Sequence, residues 1–294
     1  MIGTPRTLDI GGTSISVIDY GGVGTDVLLV HSPGYCAPAW ESVAKALDGR
    51  VRAWALDLPG HGHSEGLLTG AAGARAVIAD VAQRLELDRP VLAGLDLAGY
   101  YVMAVAAEHP SLARSVVSVG ASVVRERPQT EELLAFATSE AVGDGLVDRF
   151  YFGTTGRGEA TRAAMVDDLV ARAAQDWLLS DIEPGLRTEV EWSMRDLPDG
   201  SWLHLPRAES AQGGYAVAAD DPYFPDTGLY GRVPVPTWLV LSRGSMDDEI
   251  IEEAKQLARD HAPLTCVGIF GGLGPHYQTP RELADVILTA AAVP

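Results

Sequence analysis

Short, mainly apolar runs recur along the chain, at residues 27–30 (Val-Leu-Leu-Val), 51–56, 91–93, 115–119, 237–241 and 264–270. Runs this short, without alternation, predict strands buried on both faces of a parallel sheet. Helical spacing fills the gaps: residues 40–47, 71–87 with Val77, Ile78, Val81 and Leu85 on one face, 99–107, and 280–292. Ahead of these, residues 7–10 and 15–18 flank Gly11-Gly12 and predict a β-hairpin. Strand and helix in alternation mean βα units and a mainly parallel sheet. The rhythm stops near Arg125. Residues 130–197 carry helical patterns rich in Ala, Glu, Asp and Arg with no convincing strand, and residues 201–230 are irregular and dense in Gly, Pro and aromatics. We therefore expect a core from residues 1–124 and 231–294, with residues 125–230 as a helical lid over the edge of the sheet where ligands bind.

Composition narrows the options. Of 294 residues, 47 % are hydrophobic, enough for a sizeable core. Lys plus Arg number 22 against 40 Asp plus Glu, a formal charge of −18. Such a surface repels nucleic acid and anionic membranes, and the aromatic-rich segment at 125–230 suits a flat, largely apolar small molecule as partner. A homodimer is compatible with the chain but nothing in it requires one. Cys36 and Cys266 are too few for a disulfide framework or a zinc site and suit small buried hydrophobes. The first eight residues lack the basic-then-apolar pattern of a signal peptide, and no apolar run approaches the roughly 18 residues of a membrane span. A cytoplasmic location is the default expectation.

Chemistry concentrates at Gly94-Leu95-Asp96-Leu97-Ala98, between an apolar run and a helical segment. A strand turning sharply into a helix crowds its own backbone, so small residues belong beside the tip. The tip residue, Asp96, then stands alone above the sheet near a helix N-terminus.

Four motifs, in order, resemble the α/β-hydrolase superfamily. They are the His31-Ser32-Pro33-Gly34 loop, Asp57-Leu58-Pro59-Gly60-His61-Gly62-His63-Ser64, the elbow at Asp96, and Gly274-Pro275-His276. The resemblance implies an eight-stranded, mainly parallel sheet flanked by helices, with the lid after the sixth strand. It also implies a triad in the order nucleophile, acid, histidine: Asp96, Asp247 (with Asp248 in reserve) and His276. An elbow carboxylate is similar to that of epoxide hydrolases and haloalkane dehalogenases. Asp96 would displace at saturated carbon to form an alkyl ester, and water activated by His276 would then release it. Tyr151 and Tyr215 lie where such enzymes place donors to the epoxide oxygen. Trp177, Trp192, Tyr223 and His204 are expected in the pocket wall. Ser32, Pro33 and Gly34 would border the site, and the Leu97 N–H would face the oxyanion of the second step. No metal or organic cofactor is implied.

Two residues depart from that pattern. Leu97 stands where both subfamilies usually carry Trp, which counts against halide chemistry. Pro33 occupies the position of the first oxyanion donor and has no N–H, so either Gly34 substitutes through a shifted loop or one donor is missing. Epoxide opening remains the first expectation. A cyclisation, elimination or rearrangement using Asp96 for acid–base work is the second, with dehalogenation or plain ligand binding behind.

Overall fold

The computed structural model describes residues 3–120, 125–175, 185–242, 248–261, 263–272 and 274–294. Strands β1 (Thr4–Ile10) and β2 (Thr13–Gly21) form the expected antiparallel hairpin, with Gly11 and Gly12 in left-handed backbone between them. Then come β3 (Asp26–Val30), α1 (Glu41–Leu47) after a 3-10 turn at Ala37–Trp40, β4 (Arg52–Leu56), α2 (Ala71–Arg84), β5 (Val91–Leu95), α3 (Leu97–Glu108) and β6 (Ser115–Val119). An inserted segment follows, holding α4 (Arg127–Ala137), α5 (Glu140–Phe150), β7 (Thr155–Arg157), α6 (Glu159–Gln175), α7 (Gly185–Trp192), β8 (Met194–Asp196), β9 (Ser201–His204) and α8 (Ala208–Gly213). The core resumes with β10 (Thr237–Ser242), α9 (Asp248–Asp260), β11 (Leu264–Ile269), α10 (Pro275–Gln278) and α11 (Pro280–Ala291).

Eight strands form one sheet in the order β1-β2-β4-β3-β5-β6-β10-β11, parallel from β4 onward. The continuous apolar runs are explained by its two covered faces. Leu28 and Val30 pack with α2 and α3, whereas Val27 and Leu29 pack with α1 and α11. Helix α3 is buried from Leu97 to Ala106, as its all-round apolar sequence requires.

The insertion differs from the expected all-helical lid. Strands β7, β9 and β8 make a small antiparallel sheet. Each has only three or four residues, too few for alternation to stand out. Gly156 makes the pairing close, because a Cβ there would meet the Trp202 ring at 2.2 Å.

Polar ties fix the insertion to the core. The Trp192 indole N–H donates to Asp57 at 2.9 Å, Arg195 donates to the carbonyls of Gly62 and Ser64, and the Tyr101 hydroxyl donates to Gly214 O at 2.6 Å. Among the described residues no helix is long and apolar enough to cross a membrane.

Packing at the β5–α3 junction excludes side chains. A Cβ on Gly94 would lie 2.2 Å from the Ala98 carbonyl oxygen, and one on Gly99 would lie 2.3 Å from Ser118 Oγ. The Gly94 clash is with backbone and cannot be relieved by a rotamer. Gly94→Ala is expected to destabilise the protein by about 1–3 kcal/mol, the usual cost of overpacking; chemical denaturation showing no loss would disprove the crowding.

Candidate active site

The elbow holds Asp96 at φ 43° and ψ −118°, a left-handed conformation that costs a non-glycine residue about 1–3 kcal/mol. Its N–H donates to Val119 O at 2.6 Å and its carbonyl accepts the Gly99 N–H at 2.8 Å. The carboxylate does not cap its own helix. It is exposed and stands clear of the sheet.

Hydroxyls meet it there. Ser32 Oγ donates to Asp96 Oδ2 at 3.1 Å. The Tyr215 hydroxyl hydrogen-bonds with Asp96 and Ser32. Burial, and then the Asp96 charge, push the Tyr215 phenol well above its usual range, so it stays protonated and donates. Tyr101 on α3 positions the turn before it through the bond to Gly214.

The first loop is held by histidines. His31 Nε2 accepts the Leu58 N–H at 2.9 Å and its Nδ1 lies 2.8 Å from Ser32 O, while His61 Nε2 accepts the Gly34 N–H at 3.1 Å. The expectation that Gly34 would replace the missing Pro33 donor is therefore corrected: its N–H turns to His61. Leu97 is buried in the core layer beneath the elbow.

A cavity of about 430 Å³ opens beside these groups. Pro33, Gly34, Tyr35, Cys36, Tyr215 and Tyr277 form its core side; Phe136, Phe150, Phe152, Leu169, Leu186 and His204 are among its walls on the insertion. His204 lies where a pocket-wall residue was expected, with its pKa lowered to about 4 by burial. Its Nδ1 lies 3.1 Å from the Tyr151 carbonyl oxygen.

His276 does not join Asp96. It sits in the single-turn helix α10, 2 % exposed, between the rings of Tyr35, Trp40 and Tyr277. Among the described residues neither ring nitrogen has a hydrogen-bond partner. Burial lowers its pKa to about 3, so it is a neutral core side chain. Its neighbour Tyr277 faces the cavity instead. Asp247, its expected partner, lies outside the described residues, as does Trp177. The reserve, Asp248, is an exposed residue in the first turn of α9.

Three other expectations are corrected by polar partners. The Tyr151 hydroxyl donates to Asp168 at 2.6 Å and meets Arg172, on α6, rather than Asp96. Trp192 stacks on His63 at 3.8 Å while bonding Asp57. Tyr223 packs against the core with Arg75 over its ring.

Sequence reasoning missed Tyr35, Glu189 and Tyr277. Glu189 of α7 lines the cavity and is 5 % exposed. Its Oε1 accepts the Cys36 N–H at 3.0 Å and Oε2 meets the Tyr277 hydroxyl. Burial raises its pKa to about 8, against the opposing pull of the Tyr277 and Cys36 donors. Tyr277, directly after the quoted Gly274-Pro275-His276 motif, was the one signal available for it.

With this geometry in view, the chain belongs to the alpha/beta hydrolase family, whose model matches residues 27–286. Esterase Rv0045c of Mycobacterium tuberculosis is 27 % identical over 220 residues, covering 74 % of this chain and 68 % of that protein. The pimeloyl-[acyl-carrier protein] methyl ester esterase of Vibrio cholerae is 32 % identical over 104 residues, and the match spans only 38 % of its length. Among solved structures, E-2-(acetamidomethylene)succinate hydrolase aligns over 98 % of both chains with a TM-score of 0.74 at 19 % identity. The M. tuberculosis esterase Rv0045c aligns over 98 % of this chain and 92 % of its own, with a TM-score of 0.69 at 21 % identity. These structural likenesses describe the fold.

The placement of His276 has a measurable consequence. An unfolded chain takes up its proton near the ordinary pKa of 6.5, whereas the folded chain refuses it until about pH 3. Its contribution is thus intact above about pH 6.5 and lost progressively as the pH falls. His276→Phe is expected to make stability fall less steeply between about pH 6 and 4, by about 1.4 kcal/mol per pH unit. Equal slopes in denaturation measured across that range would contradict the assignment.

Proposed function

We propose that this chain uses the hydrolase fold for proton transfer: it holds a flat, mainly apolar ketone-type molecule in the cavity and employs the Asp96 carboxylate as base. The supporting observation is that the hydroxyls of Ser32 and Tyr215 meet Asp96, while among the described residues the His276 ring nitrogens bond to nothing. Ester hydrolysis on this fold needs an elbow hydroxyl, and release of an aspartyl ester needs a base aimed at water. Removing a proton from carbon needs less: a positioned carboxylate, neutral donors to orient it, and a water-poor pocket. Aromatic and aliphatic walls suit a flat ligand.

One observation favours a second reading, epoxide hydrolysis. The Tyr215 hydroxyl beside Asp96 is the pairing that opens an epoxide, the tyrosine protonating oxygen as the carboxylate attacks carbon. An esterase-type activity, in keeping with the names of the relatives, would leave Asp96 without a direct role.

The readings separate in one assay. The full chain is incubated with 2-tetralone in D₂O, and exchange of the protons beside the carbonyl is followed by NMR against the uncatalysed rate. Asp96→Asn is expected to lower the catalysed exchange by on the order of 10²–10⁴-fold, whereas His276→Phe leaves it near wild type. Catalysed exchange that persists in Asp96→Asn would refute the proton-transfer reading. Incorporation of ¹⁸O from water into the Asp96 peptide, in an enzyme that converts styrene oxide, would establish the epoxide reading in its place.

A further inference from the structure

Two carboxyl–tyrosine pairs serve one cavity. At the elbow, Asp96 is hydrogen-bonded with Tyr215, which lines the cavity. On the opposite element, α7, Glu189 lines the same cavity and meets the hydroxyl of Tyr277, another wall residue. Tyr35, on the cavity wall, has its phenol raised by burial and by the charges of Glu189 and Asp96. The two carboxyls therefore lie within electrostatic reach of one phenol.

Their surroundings differ sharply. Asp96 is exposed. Glu189 is buried, and no Lys or Arg forms a salt bridge with it among the described residues. The titratable groups around it are the Tyr277 phenol on α10, the Tyr35 phenol and Cys36 thiol of the first loop, and Asp57 after β4. None of these is cationic, whereas Arg149 and Arg172 line the same cavity and Arg149 acts on the Tyr35 phenol. A carboxyl so placed is held largely neutral, with its pKa at about 8. A buried carboxyl that keeps its proton can serve a site as its acid.

We propose that Glu189 is the proton donor of the site: with a ketone in the cavity, Asp96 removes the proton from the carbon beside the carbonyl while Glu189 protonates the carbonyl oxygen. This rests on the proton-transfer reading above. The C–H bond breaks and its proton passes to the Asp96 carboxylate. Its electron pair forms the new C=C bond, the carbonyl π pair moves onto oxygen, and that oxygen takes the Glu189 proton. The enol then returns to ketone by giving its O–H proton to the Glu189 carboxylate and accepting the Asp96 proton at carbon. No oxidant or other reactant is needed.

The test uses 2-tetralone carrying ¹³C at the carbonyl, bound to the full chain and followed by infrared difference spectroscopy. At about pH 6 the bound carbonyl band is expected at lower frequency than in water, moving back as the pH rises, with a midpoint near 8. Glu189→Gln, an uncharged isostere, should show a smaller shift that does not titrate, and should slow exchange on the order of 10²-fold. Tyr277→Phe removes a donor that favours the carboxylate, so the midpoint should move upward. Asp96→Asn should leave the titrating shift in place while abolishing exchange, which separates failure here from failure of the base assignment. A wild-type band that does not move with pH, a Gln variant that titrates like wild type, or no bound carbonyl band at all would each overturn the proposal.

Discussion

The junction of β5 and α3 governs what the remainder of the molecule can do. Its backbone is folded so tightly that Asp96 occupies a left-handed conformation, held by its N–H on Val119 and its carbonyl on Gly99. The strain is offset by the burial of β5 and almost all of α3 on either side. A residue in that conformation cannot fold its side chain back to cap the helix, so it must project outward. Whatever chemistry the tip residue has is the chemistry on offer. Replacing a hydroxyl by a carboxylate there changes the reaction class and leaves the fold untouched, which is why family membership and mechanism part company in this chain.

The histidines show how far the departure extends. His31 and His61 hold the first loop from beneath, and the Gly34 N–H is directed at His61. Pro33 contributes no N–H. His276 lies among aromatic rings with both nitrogens unpartnered among the described residues, an arrangement tolerable only for a neutral imidazole. What meets the elbow carboxylate from the first loop and the insertion is therefore hydroxyl. A hydroxyl donor can orient a carboxylate and stabilise charge on a ligand oxygen, but its high pKa makes it a poor base for water near neutrality.

Legibility in the sequence followed the physics of each element. Strands buried on both faces appear as mainly apolar runs, which made the sheet visible, while Gly11-Gly12 marked the hairpin and the small residues beside Asp96 marked the elbow. The strands β7, β8 and β9 were not, because three or four residues carry no period. The site was readable at Asp96, where a backbone constraint fixes the side chain, and through the family resemblance at Tyr215. In α10 a single turn gives no face preference, so nothing in the sequence distinguishes His276, which enters the core, from Tyr277, which lines the cavity. Tyr151 and Trp192 looked like pocket residues by composition. Their hydroxyl and indole are instead committed to Asp168 and Asp57, partners that only the tertiary fold brings near. Glu189 belongs to no motif at all; its position on α7 acquires meaning only from the Cys36 amide and the Tyr277 phenol.

The cavity's electrostatics limit how charge can be handled within it. Its walls are mainly apolar and the protein as a whole is strongly acidic, so a second full negative charge placed beside Asp96 meets both poor solvation and repulsion. Beside Arg149 and Arg172 on its walls, a ligand oxygen gaining negative charge there can be met by neutral donors that carry a proton. Phenols raised well above their usual range by burial, Tyr35, Tyr215 and Tyr277, retain that proton, and a carboxyl excluded from water retains one as well. An ionised acid in the position of Glu189 would instead oppose every anion forming in the cavity. Burial, usually a cost for a carboxyl, is here the condition that lets two acids share one site in different protonation states.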